Sequence, residues 1–385
     1  MKSADATTYR YKRIVAKFGT NVLTGGSDRL DAKVLASLVA QVACLWKAGV
    51  QVLVVTSGAI AAGGEALDVS REGKDVPYKQ VLAAVGQSRL MARYQALFEQ
   101  HRLLVGQALI TKGDLDGREG YLNVRNTLEG LLDLGVVPII NENDVVDIRE
   151  IGGAVFGDND NLSAAVANLV DADLLVILSD IDGLYTADPR RDPSASLIPR
   201  VERVDRSIEA LAGDTPSKRS RGGMVTKVQA ARLATESGTN VVIANGHTTD
   251  VLPRLAQGEA IGTFFVATAS KVDSRRRWMV SGLGASGAIV VDDGAVKALT
   301  EQHRSLLPAG VRSVEGDFER GALVEVRDSL GRRIGCGLTN YGSRELERIK
   351  GAKSADIAKL LGYRYGDEAV HRNHLVMLER APAGA

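Results

Sequence analysis

Two lysines stand where the sequence could bind a phosphate group. Lys17 closes an apolar run and is followed by Gly19, and Lys227 lies one turn inside a helix-like segment that follows Gly222 and Gly223. Glycines allow backbone N–H groups to approach phosphate oxygens, and a lysine ammonium supplies the opposite charge. The pattern indicates an anion site, although a solvated strand-end lysine or an ordinary helix start would give the same letters.

Two further segments place polar side chains at the ends of apolar runs. In VVTSGAIAAGG the run breaks at Ser57 and Gly58, where a helix could begin and present its N–H groups to an anion. VPIINENDVV and VFGDNDNLSA bring together more polar side chains than helix capping needs, so they could grip the charged groups of an amino acid. Tight turns and simple capping are the alternatives. The polar residues of VPIINENDVV and VFGDNDNLSA are Asn141, Glu142, Asn143, Asp144, Asp158, Asn159, Asp160 and Asn161.

Together these residues favour phosphoryl transfer, a reaction in which positioning and charge stabilisation dominate. The chain has no GxxxxGK[ST] phosphate loop, and its GLGASG run leads into a strand-like segment, which argues against a dinucleotide fold. Its cysteines, Cys44 and Cys336, have no CxxC spacing. We therefore expect both to be buried thiols of a reducing compartment.

The elements that must position these residues alternate between short apolar runs and amphipathic segments of helix length. Continuous runs such as VLVVT and LLVIL are typical of parallel strands buried on both faces. The pattern predicts an α/β fold with helices on both faces of a mainly parallel sheet, in which ligands bind where strands end. The predicted strands are Arg13–Ala16, Val50–Thr56, Leu103–Ile110, Val136–Ile140, Asp173–Leu178 and Asn240–Ala244, and the clearest helices are Ala32–Lys47 and Lys79–Gln100.

The pattern changes after about Ser270 to short strands separated by glycine and aspartate turns. A chain of 385 residues also exceeds a single ordinary core, which stops growing near about 250 to 300 residues. We expect two domains, residues 1–270 and 275–380, joined by the basic stretch Lys271–Arg277. The predicted elements of the second domain are strands Trp278–Val280, Ala288–Val291, Leu323–Val326 and Ile334–Leu338, with helical pieces near Ala295–Leu299 and Asp356–Leu360.

Composition excludes several classes of protein. Lys and Arg total 48 against 47 Asp and Glu, so the whole chain offers no electrostatic case for nucleic acid or an anionic membrane. From Arg275 onward 18 basic residues face 14 acidic ones, a slight excess. The first residues have no apolar stretch of signal-peptide length, and no apolar run approaches the roughly 20 residues of a membrane helix. We expect a cytoplasmic protein without a membrane partner.

Seven motifs in order resemble the amino acid kinase family over residues 13 to about 268. They are KFGTNVLTGGS, VTSGAIAAG, LAAVGQSRL, NENDVV, GDNDNLSA, SDIDGLYTADPR and GGMVTK. Residues from about 275 to 375 resemble a PUA domain, a small β-rich module best known from RNA-modifying enzymes. The resemblance implies a three-layer αβα sandwich with a mainly parallel sheet, followed by a small β-rich PUA domain.

For this set of motifs the resemblance implies a kinase that uses ATP and Mg²⁺ to phosphorylate the γ-carboxylate of L-glutamate. That reaction is the first step of proline biosynthesis, with proline as feedback inhibitor. The long segment Val145–Gly157 lies near where proline acts in the family, and we expect it to be a mobile regulatory lid. We also expect a homo-oligomer, and hand-over of the unstable acyl phosphate to γ-glutamyl phosphate reductase.

The resemblance also implies roles for individual residues, without a general base, because a carboxylate is already ionised at pH 7. The two lysines would neutralise the phosphoryl group while an aspartate holds them; these catalytic residues are Lys17, Asp160 and Lys227. Glutamate would be bound by Ser57, Asp144 and Asn159. ATP would be bound by Lys17, Ser179, Asp180, Arg221, Gly222, Gly223, Met224, Val225, Thr226 and Lys227, with Mg²⁺ carried by the phosphates rather than by protein ligands.

The chain departs from the family pattern at two places. Ser179 replaces a usual threonine but keeps the hydroxyl, whereas Ser220 and Arg221 replace a usual Gly-Thr pair before GGM.

Two alternative functions stay open. The nearest alternative to a glutamate-phosphorylating kinase is another carboxylate kinase of the same fold, N-acetylglutamate kinase or aspartokinase. An RNA-binding regulator that acts through the PUA domain is the alternative from a different class.

Overall fold

The computed structural model describes residues 9–69, 75–146, 159–213, 223–270 and 285–378. The chain forms two compact units: unit 1 comprises Met1–Leu115 and Val124–Ser270, and unit 2 comprises Asp116–Asn123 and Lys271–Ala385. The domain limits expected from sequence, 1–270 and 275–380, stay a prediction, since the linker region lies outside the described residues and one short stretch inside the first domain is grouped with unit 2.

The core of unit 1 is an eight-stranded sheet within the described ranges, in the order β3-β4-β2-β1-β5-β7-β8-β6. The strands from β3 to β7 are all parallel, β8 is antiparallel to β7, and β6 is parallel to β8. The strands are β1 Arg13–Phe18, β2 Gln51–Thr56, β3 Leu104–Ile110, β4 Val136–Glu142, β5 Leu174–Ser179, β6 Arg200–Val201, β7 Asn240–Asn245 and β8 Thr263–Phe265.

Two groups of helices pack on this sheet. α2, α3, α4 and α10 contact one another on one side, and α7, α8 and α9 do so on the other, where α7 lies against β1 and β5. The described helices of this region are α1 Thr20–Thr24, α2 Ala32–Lys47, α3 Ala59–Leu67, α4 Val76–Glu99, α5 Lys112–Asp116, α6 Arg118–Asp133, α7 Asn159–Leu169, α8 Arg206–Leu211, α9 Met224–Glu236 and α10 Val251–Gln257.

Strand alternation decides which side each residue of β1 faces. Ile14, Ala16 and Phe18 belong to the buried apolar cluster that includes α2, α4 and α10. Because successive side chains of a strand point to opposite faces, Val15 and Lys17 face the α7 side instead. The sequence RIVAKF therefore directs a lysine toward the first turn of α7.

Helices α3 and α4 approach each other backbone to backbone at two glycines. A Cβ placed on Gly63 would lie 1.9 Å from the carbonyl oxygen of Leu82, and one on Gly86 would lie 1.8 Å from that of Ala59. No side chain fits at either position, so both glycines are required for this contact. The contact fixes α4 against α3, which begins at Ala59, two residues after Ser57.

Unit 2 contains a five-stranded sheet in the order β10-β9-β11-β12-β13, with a core that includes Ile289, Val326, Tyr341 and Leu346. The β9–β11 pair is parallel and the other pairs are antiparallel. Its described elements are β9 Gly287–Val291, α11 Asp293–Thr300, β10 Val311–Glu315, β11 Leu323–Arg327, β12 Arg333–Leu338, α12 Ser343–Ile349, α13 Ile357–Leu361 and β13 Leu375–Met377, with 3₁₀ turns at Pro308–Gly310, Ser354–Asp356 and Arg372–His374.

Most predicted elements appear within one to three residues of their expected bounds, and α2 has the bounds predicted. The predicted strand Trp278–Val280 lies outside the described residues. The prediction for Cys44 was wrong: Cys336 is buried, but Cys44 is exposed because it lies on the face of α2 opposite Leu38, Val42 and Leu45. In the ranges that the structure describes, no helix is both long enough and apolar enough to span a membrane.

Candidate active site

A buried carboxylate lies between two lysines at the carboxyl ends of the parallel strands. Asp160 Oδ1 lies 2.6 Å from Lys17 Nζ, and Asp160 Oδ2 lies 3.1 Å from Lys227 Nζ. Asp160 is 0% exposed and the lysines are 3% and 6% exposed. The Thr226 hydroxyl donates to Asp160 Oδ2 at 2.9 Å. Among the described residues, the two ammonium groups and one carboxylate of this charged cluster sum to one net positive charge, which suits an anionic ligand.

Three elements bring this charged cluster together. Lys17 is the last residue but one of β1 and faces α7, and Asp160 is the second residue of α7. Lys227 lies in the first turn of α9, which begins after Gly223 at its N-cap. Helices α7 and α9 pack on each other, so their first turns meet above the end of β1. Residues 160 and 227, far apart in sequence, become neighbours because both helices start at the same edge of the sheet.

The electrostatics of Asp160 follow from its two lysines. Burial raises the pKa of the Asp160 carboxyl, but the charges and hydrogen bonds of Lys17 and Lys227 lower it further, so the net pKa lies well below its usual range. Asp160 is therefore ionised at any pH near neutrality. It holds two like charges together that would otherwise repel each other in a buried place.

A chain of neutral amides adjoins the charged cluster. Asn159 Nδ2 donates to Ser57 Oγ at 3.0 Å and to Asn141 Oδ1 at 3.2 Å. Asn141 Nδ2 donates to Gln87 Oε1 at 2.8 Å. This amide chain, made of Ser57, Asn159, Asn141 and Gln87, joins the ends of β2 and β4 to α7 and α4. Asn159 directly precedes Asp160, so the first turn of α7 contributes to both groups.

Helix α4 also contacts the segment that follows β4 and the end of β2. Gln80 Nε2 donates to the carbonyl oxygens of Asp144 and Val145 at 3.3 and 2.9 Å. Thr56 Oγ1 lies 2.6 Å from Tyr94 Oη and donates to the Ser57 carbonyl oxygen. A hydroxyl has one hydrogen, so Tyr94 is the donor to Thr56. Burial raises the pKa of the Tyr94 phenol, which keeps it a protonated donor.

The end of β5 carries a second carboxylate. Asp180 Oδ2 accepts from Asn21 Nδ2 at 3.0 Å, and Asp180 Oδ1 accepts from the Ser179 hydroxyl at 3.1 Å. Burial raises the pKa of Asp180, whereas the hydrogen bond from Asn21, the bond from Ser179 and the charge of Lys227 lower it, with a net lowering. The Asn21 bond ties the segment after β1 to the end of β5.

The structure thus brings together most of the residues predicted from the sequence. Lys17, Asp160 and Lys227 are in contact, as are Ser57 and Asn159. Asp144 is buried at the end of β4 and is held through its carbonyl by α4. Gly223, Met224, Val225 and Thr226 form the start of α9. Arg221, Gly222, Asp158 and most of the predicted lid, residues 147–157, lie outside the described residues.

Sequence reasoning missed Gln87, Asn21 and the Tyr94–Thr56 pair. Gln87 lies inside the motif LAAVGQSRL, but nothing in its spacing shows which strand end it will meet. Asn21 follows the first glycine of KFGTNVLTGGS and looks like a turn residue. No group of three or more His, Cys, Asp or Glu side chains that could hold a metal ion occurs among the described residues.

Comparison with known proteins adds to this geometry. The amino acid kinase family matches residues 12–245 and the PUA domain matches residues 287–361. The glutamate 5-kinase of Dehalococcoides mccartyi strain CBDB1 is 53% identical over 368 residues, 96% of this chain and 99% of that protein. The glutamate 5-kinase of Herpetosiphon aurantiacus is 50% identical over 366 residues, 95% of this chain and 98% of that protein. Among solved structures, the UMP kinase from Bacillus anthracis is similar, with 16% identity and a TM-score of 0.45 over 67% of this chain and 97% of that one.

The two family matches and the sheets described above confirm the predicted fold class, a mainly parallel α/β sheet followed by a β-rich PUA domain. Both relatives are aligned over nearly their whole length, so the likeness covers both parts of the chain. The chain is a kinase that belongs to the amino acid kinase family.

Proposed function

We propose that this kinase transfers the γ-phosphoryl group of ATP to the γ-carboxylate of L-glutamate. A carboxylate oxygen forms a bond to the γ-phosphorus, the bond to the bridging oxygen of ADP breaks, and the products are γ-glutamyl phosphate and ADP. The observation that carries this proposal is the buried Asp160 between Lys17 and Lys227, next to a chain of amides. The names of the relatives agree with it.

The charged cluster would supply the catalytic power. Negative charge is spread over the transferring phosphoryl oxygens, and fixed cations near them stabilise the transition state without having to reorganise. Lys17 and Lys227 would provide these cations, and Asp160 would hold both in place. A Cβ on Gly19 would lie 3.6 Å from Lys17 Nζ, so the backbone at this glycine runs beside the ammonium where a phosphate could also approach.

The polar residues beyond the cluster would bind the amino acid. We propose that Ser57, Asp144 and Asn159 bind glutamate, with Asp144 as the anionic partner for its ammonium. Asn161 supports a larger polar site, since both of its side-chain atoms are buried and have no hydrogen-bond partner within the described part of the chain. A glutamate γ-carboxylate is ionised at pH 7, so its oxygen attacks without a general base.

The nucleotide would lie along β5 and the start of α9. We propose that Ser179, Asp180 and the stretch from Arg221 to Lys227 bind ATP. Because the described residues offer no cage of carboxylates for a metal, Mg²⁺ would arrive on the phosphates of ATP and neutralise part of their charge. Ser179 keeps the hydroxyl of the usual threonine and uses it to orient Asp180.

One experiment tests this function against its nearest alternatives. The purified chain is supplied with Mg-ATP and either L-glutamate, N-acetylglutamate or aspartate, and any acyl phosphate is trapped with hydroxylamine. We expect a hydroxamate with L-glutamate and none with N-acetylglutamate or aspartate. A hydroxamate formed only from N-acetylglutamate or aspartate would replace the proposal with another carboxylate kinase of the fold, and none from any substrate would contradict it.

We also propose feedback inhibition by proline through the segment that follows Asp144. Gln80 holds the carbonyls of Asp144 and Val145, where this segment leaves the site. Shortening Val145–Gly157 should weaken inhibition by added proline while glutamate phosphorylation persists, and unchanged inhibition would contradict the idea. A homo-oligomer, domain limits at 1–270 and 275–380, and hand-over of the acyl phosphate to γ-glutamyl phosphate reductase complete the proposal.

A second candidate function, RNA binding by unit 2, has one favourable observation. Tyr363 and Tyr365 are each 44% exposed with ring centroids 5.1 Å apart, and the Arg320 guanidinium lies 3.9 Å from the centroid of Tyr365. Such groups can stack on bases. Asp317 and Glu319 line the cavity of about 410 Å³ that Arg320 also lines. Their negative charges would repel the phosphate groups of RNA, which counts against this function. Salt-sensitive binding of an RNA oligonucleotide to the full chain would support this function, and no binding would remove it.

A further inference from the structure

The hydrogen-bond polarity of the amide chain is fixed by one backbone group. The Glu142 N–H donates to Asn141 Oδ1 at 2.9 Å, and a backbone N–H can only donate, so this atom of Asn141 must be the oxygen. Asn159 must therefore turn its Nδ2 toward the same oxygen. For the same reason the other atom of the Asn141 amide, which faces Gln87, must be the nitrogen.

Each end of the amide chain consequently presents one defined group. Gln87 accepts from Asn141 through Oε1, so its Nε2 points away from the chain as a donor. Asn159 uses Nδ2 toward both Asn141 and Ser57, so its Oδ1 points away as an acceptor. Both outward atoms are buried, and neither has a hydrogen-bond partner in the ranges that the structure describes.

Such atoms are rarely left without partners, because a buried donor or acceptor that makes no hydrogen bond has given up its bonds to water without replacement, which destabilises the folded protein. A ligand that accepts at one end of the chain and donates at the other would satisfy both atoms. Amino acids have this pairing, since a carboxylate accepts and an ammonium donates. An acidic amino acid adds a second carboxylate, which must reach the charged cluster next to Asn159.

We propose that Gln87 is a further substrate-contacting residue, whose Nε2 donates to a carboxylate oxygen of the acidic amino acid. Asn141 is a positioning residue, because it fixes the orientation of the amides of Gln87 and Asn159. This inference rests on the proposed function and adds a neutral donor to a substrate site otherwise built from Ser57, Asp144 and Asn159. Gln87 determines specificity, since its donor selects for a carboxylate and against a group that also donates.

The isosteric variant Gln87→Glu tests this inference directly. The introduced carboxyl group keeps an oxygen to accept from Asn141 and changes only the outward N–H into a second oxygen. We expect the KM for L-glutamate to rise about 30-fold or more, because two carboxylates then face each other, while the KM for ATP and kcat change by less than about 3-fold. The rise should shrink as the pH falls and the introduced carboxyl group takes up a proton, since a protonated carboxyl donates as the amide did.

Gln95→Glu is the matched control, because Gln95 is an exposed glutamine about two turns further along α4 and bonds only to Glu99 in the described structure. Gln95→Glu should leave kcat and the KM values for L-glutamate and ATP unchanged. If Gln87→Glu does not fold, Gln87→Met removes the donor without adding charge and should raise the KM for L-glutamate about 10-fold. A folded Gln87 variant with an unchanged KM for L-glutamate would overturn the inference alone. Absence of glutamate-dependent hydroxamate with the unaltered chain would overturn the proposed function as well.

Discussion

The charged cluster and the amide chain meet at consecutive residues, Asp160 and Asn159, yet they are built in opposite ways. The charged cluster holds two like charges together with one carboxylate, whose pKa is lowered by both lysines. The amide chain contains no charge, and its orientation is fixed by the N–H of Glu142. One region acts through net charge and the other through the direction of its donors and acceptors.

This difference indicates how the work of the site is divided. Fixed charges stabilise the charge that develops as the phosphoryl group moves, so losing one should lower kcat. Oriented amides recognise groups that the substrate carries throughout the reaction, so losing one should raise KM. Four variants or conditions test this division, from the largest expected effect to the smallest.

The largest effect is expected from Asp160→Asn, which removes the buried negative charge that lies between Lys17 and Lys227. We expect kcat to fall about 10³-fold and the free energy of unfolding to fall by about 3 to 5 kcal/mol. Steady-state kinetics and urea unfolding measure the two quantities. Asp188→Asn at an exposed Arg190 pair is the control and should change neither. Wild-type stability in Asp160→Asn would show that the cluster does not depend on this carboxylate.

Lys227→Met is expected to come next, with kcat lowered about 10²-fold or more and the KM for L-glutamate changed only a few-fold. Methionine resembles lysine in shape but lacks the ammonium group, so the change removes the charge together with its contact to Asp160. Lys47→Met, at an exposed position in the last turn of α2, is the control. An effect confined to KM would contradict the assignment of Lys227 to transition-state stabilisation.

Asn159→Ala should have a smaller effect, and of the other kind. The change removes the bonds to Ser57 and Asn141, and we expect the KM for L-glutamate to rise about 10- to 100-fold, as for loss of a hydrogen bond to a charged group. The KM is measured at saturating Mg-ATP. If kcat falls instead while KM stays constant, the two regions are not divided as described.

The smallest effect is expected from pH. The folded-state pKa of Asp160 is lowered, so its contribution to stability is complete above the unfolded pKa near 4 and is lost only as the pH falls through the lower folded value. The difference in unfolding free energy between wild type and Asp160→Asn should be constant from about pH 7 to 5 and shrink below about pH 4. The corresponding difference for Asn159→Ala should not depend on pH. A difference for Asp160→Asn that already shrinks between pH 7 and 5 would contradict the lowered pKa.

Much of the fold could be predicted from hydrophobic periodicity. The β-branched runs of unit 1 became its parallel strands, and the regular apolar spacing of Ala32–Lys47 predicted α2 with its observed bounds; in the structure Asp31 caps its start. The strands β6, β8 and β13 were missed, since two or three residues carry too little alternation to be recognised. The strand β10 was missed because its apolar residues, Val311 and Val314, are three positions apart rather than two. The exposed Cys44 shows that an apolar residue inside an apolar segment need not lie on its buried face.

The candidate site could be predicted in part for a physical reason. Residues at or directly after the carboxyl ends of parallel strands share one edge of the sheet whatever the loop lengths, so the positions of Lys17 and Ser57 could be predicted from the sequence. Gln87 comes from the middle of a helix. Its hydrogen bond to Asn141 depends on the rotation of α4 about its axis and on how closely α4 approaches α3. Gly63 and Gly86 determine both through backbone contact, which no pattern in the sequence shows.

The spacing of Gln80, Gln87 and Tyr94 along α4 limits how this helix can change during evolution. The three side chains recur every seven residues, which is close to two helical turns and about 10.5 Å of rise. Gln80 and Gln87 bond to the end of β4 and the residues that follow it, and Tyr94 bonds to the end of β2. Inserting or deleting one residue between them would rotate the later side chains by about 100° and break at least one bond. We therefore expect the length of α4 to tolerate no insertion between residues 80 and 94, although point substitutions on its solvent face should accumulate freely.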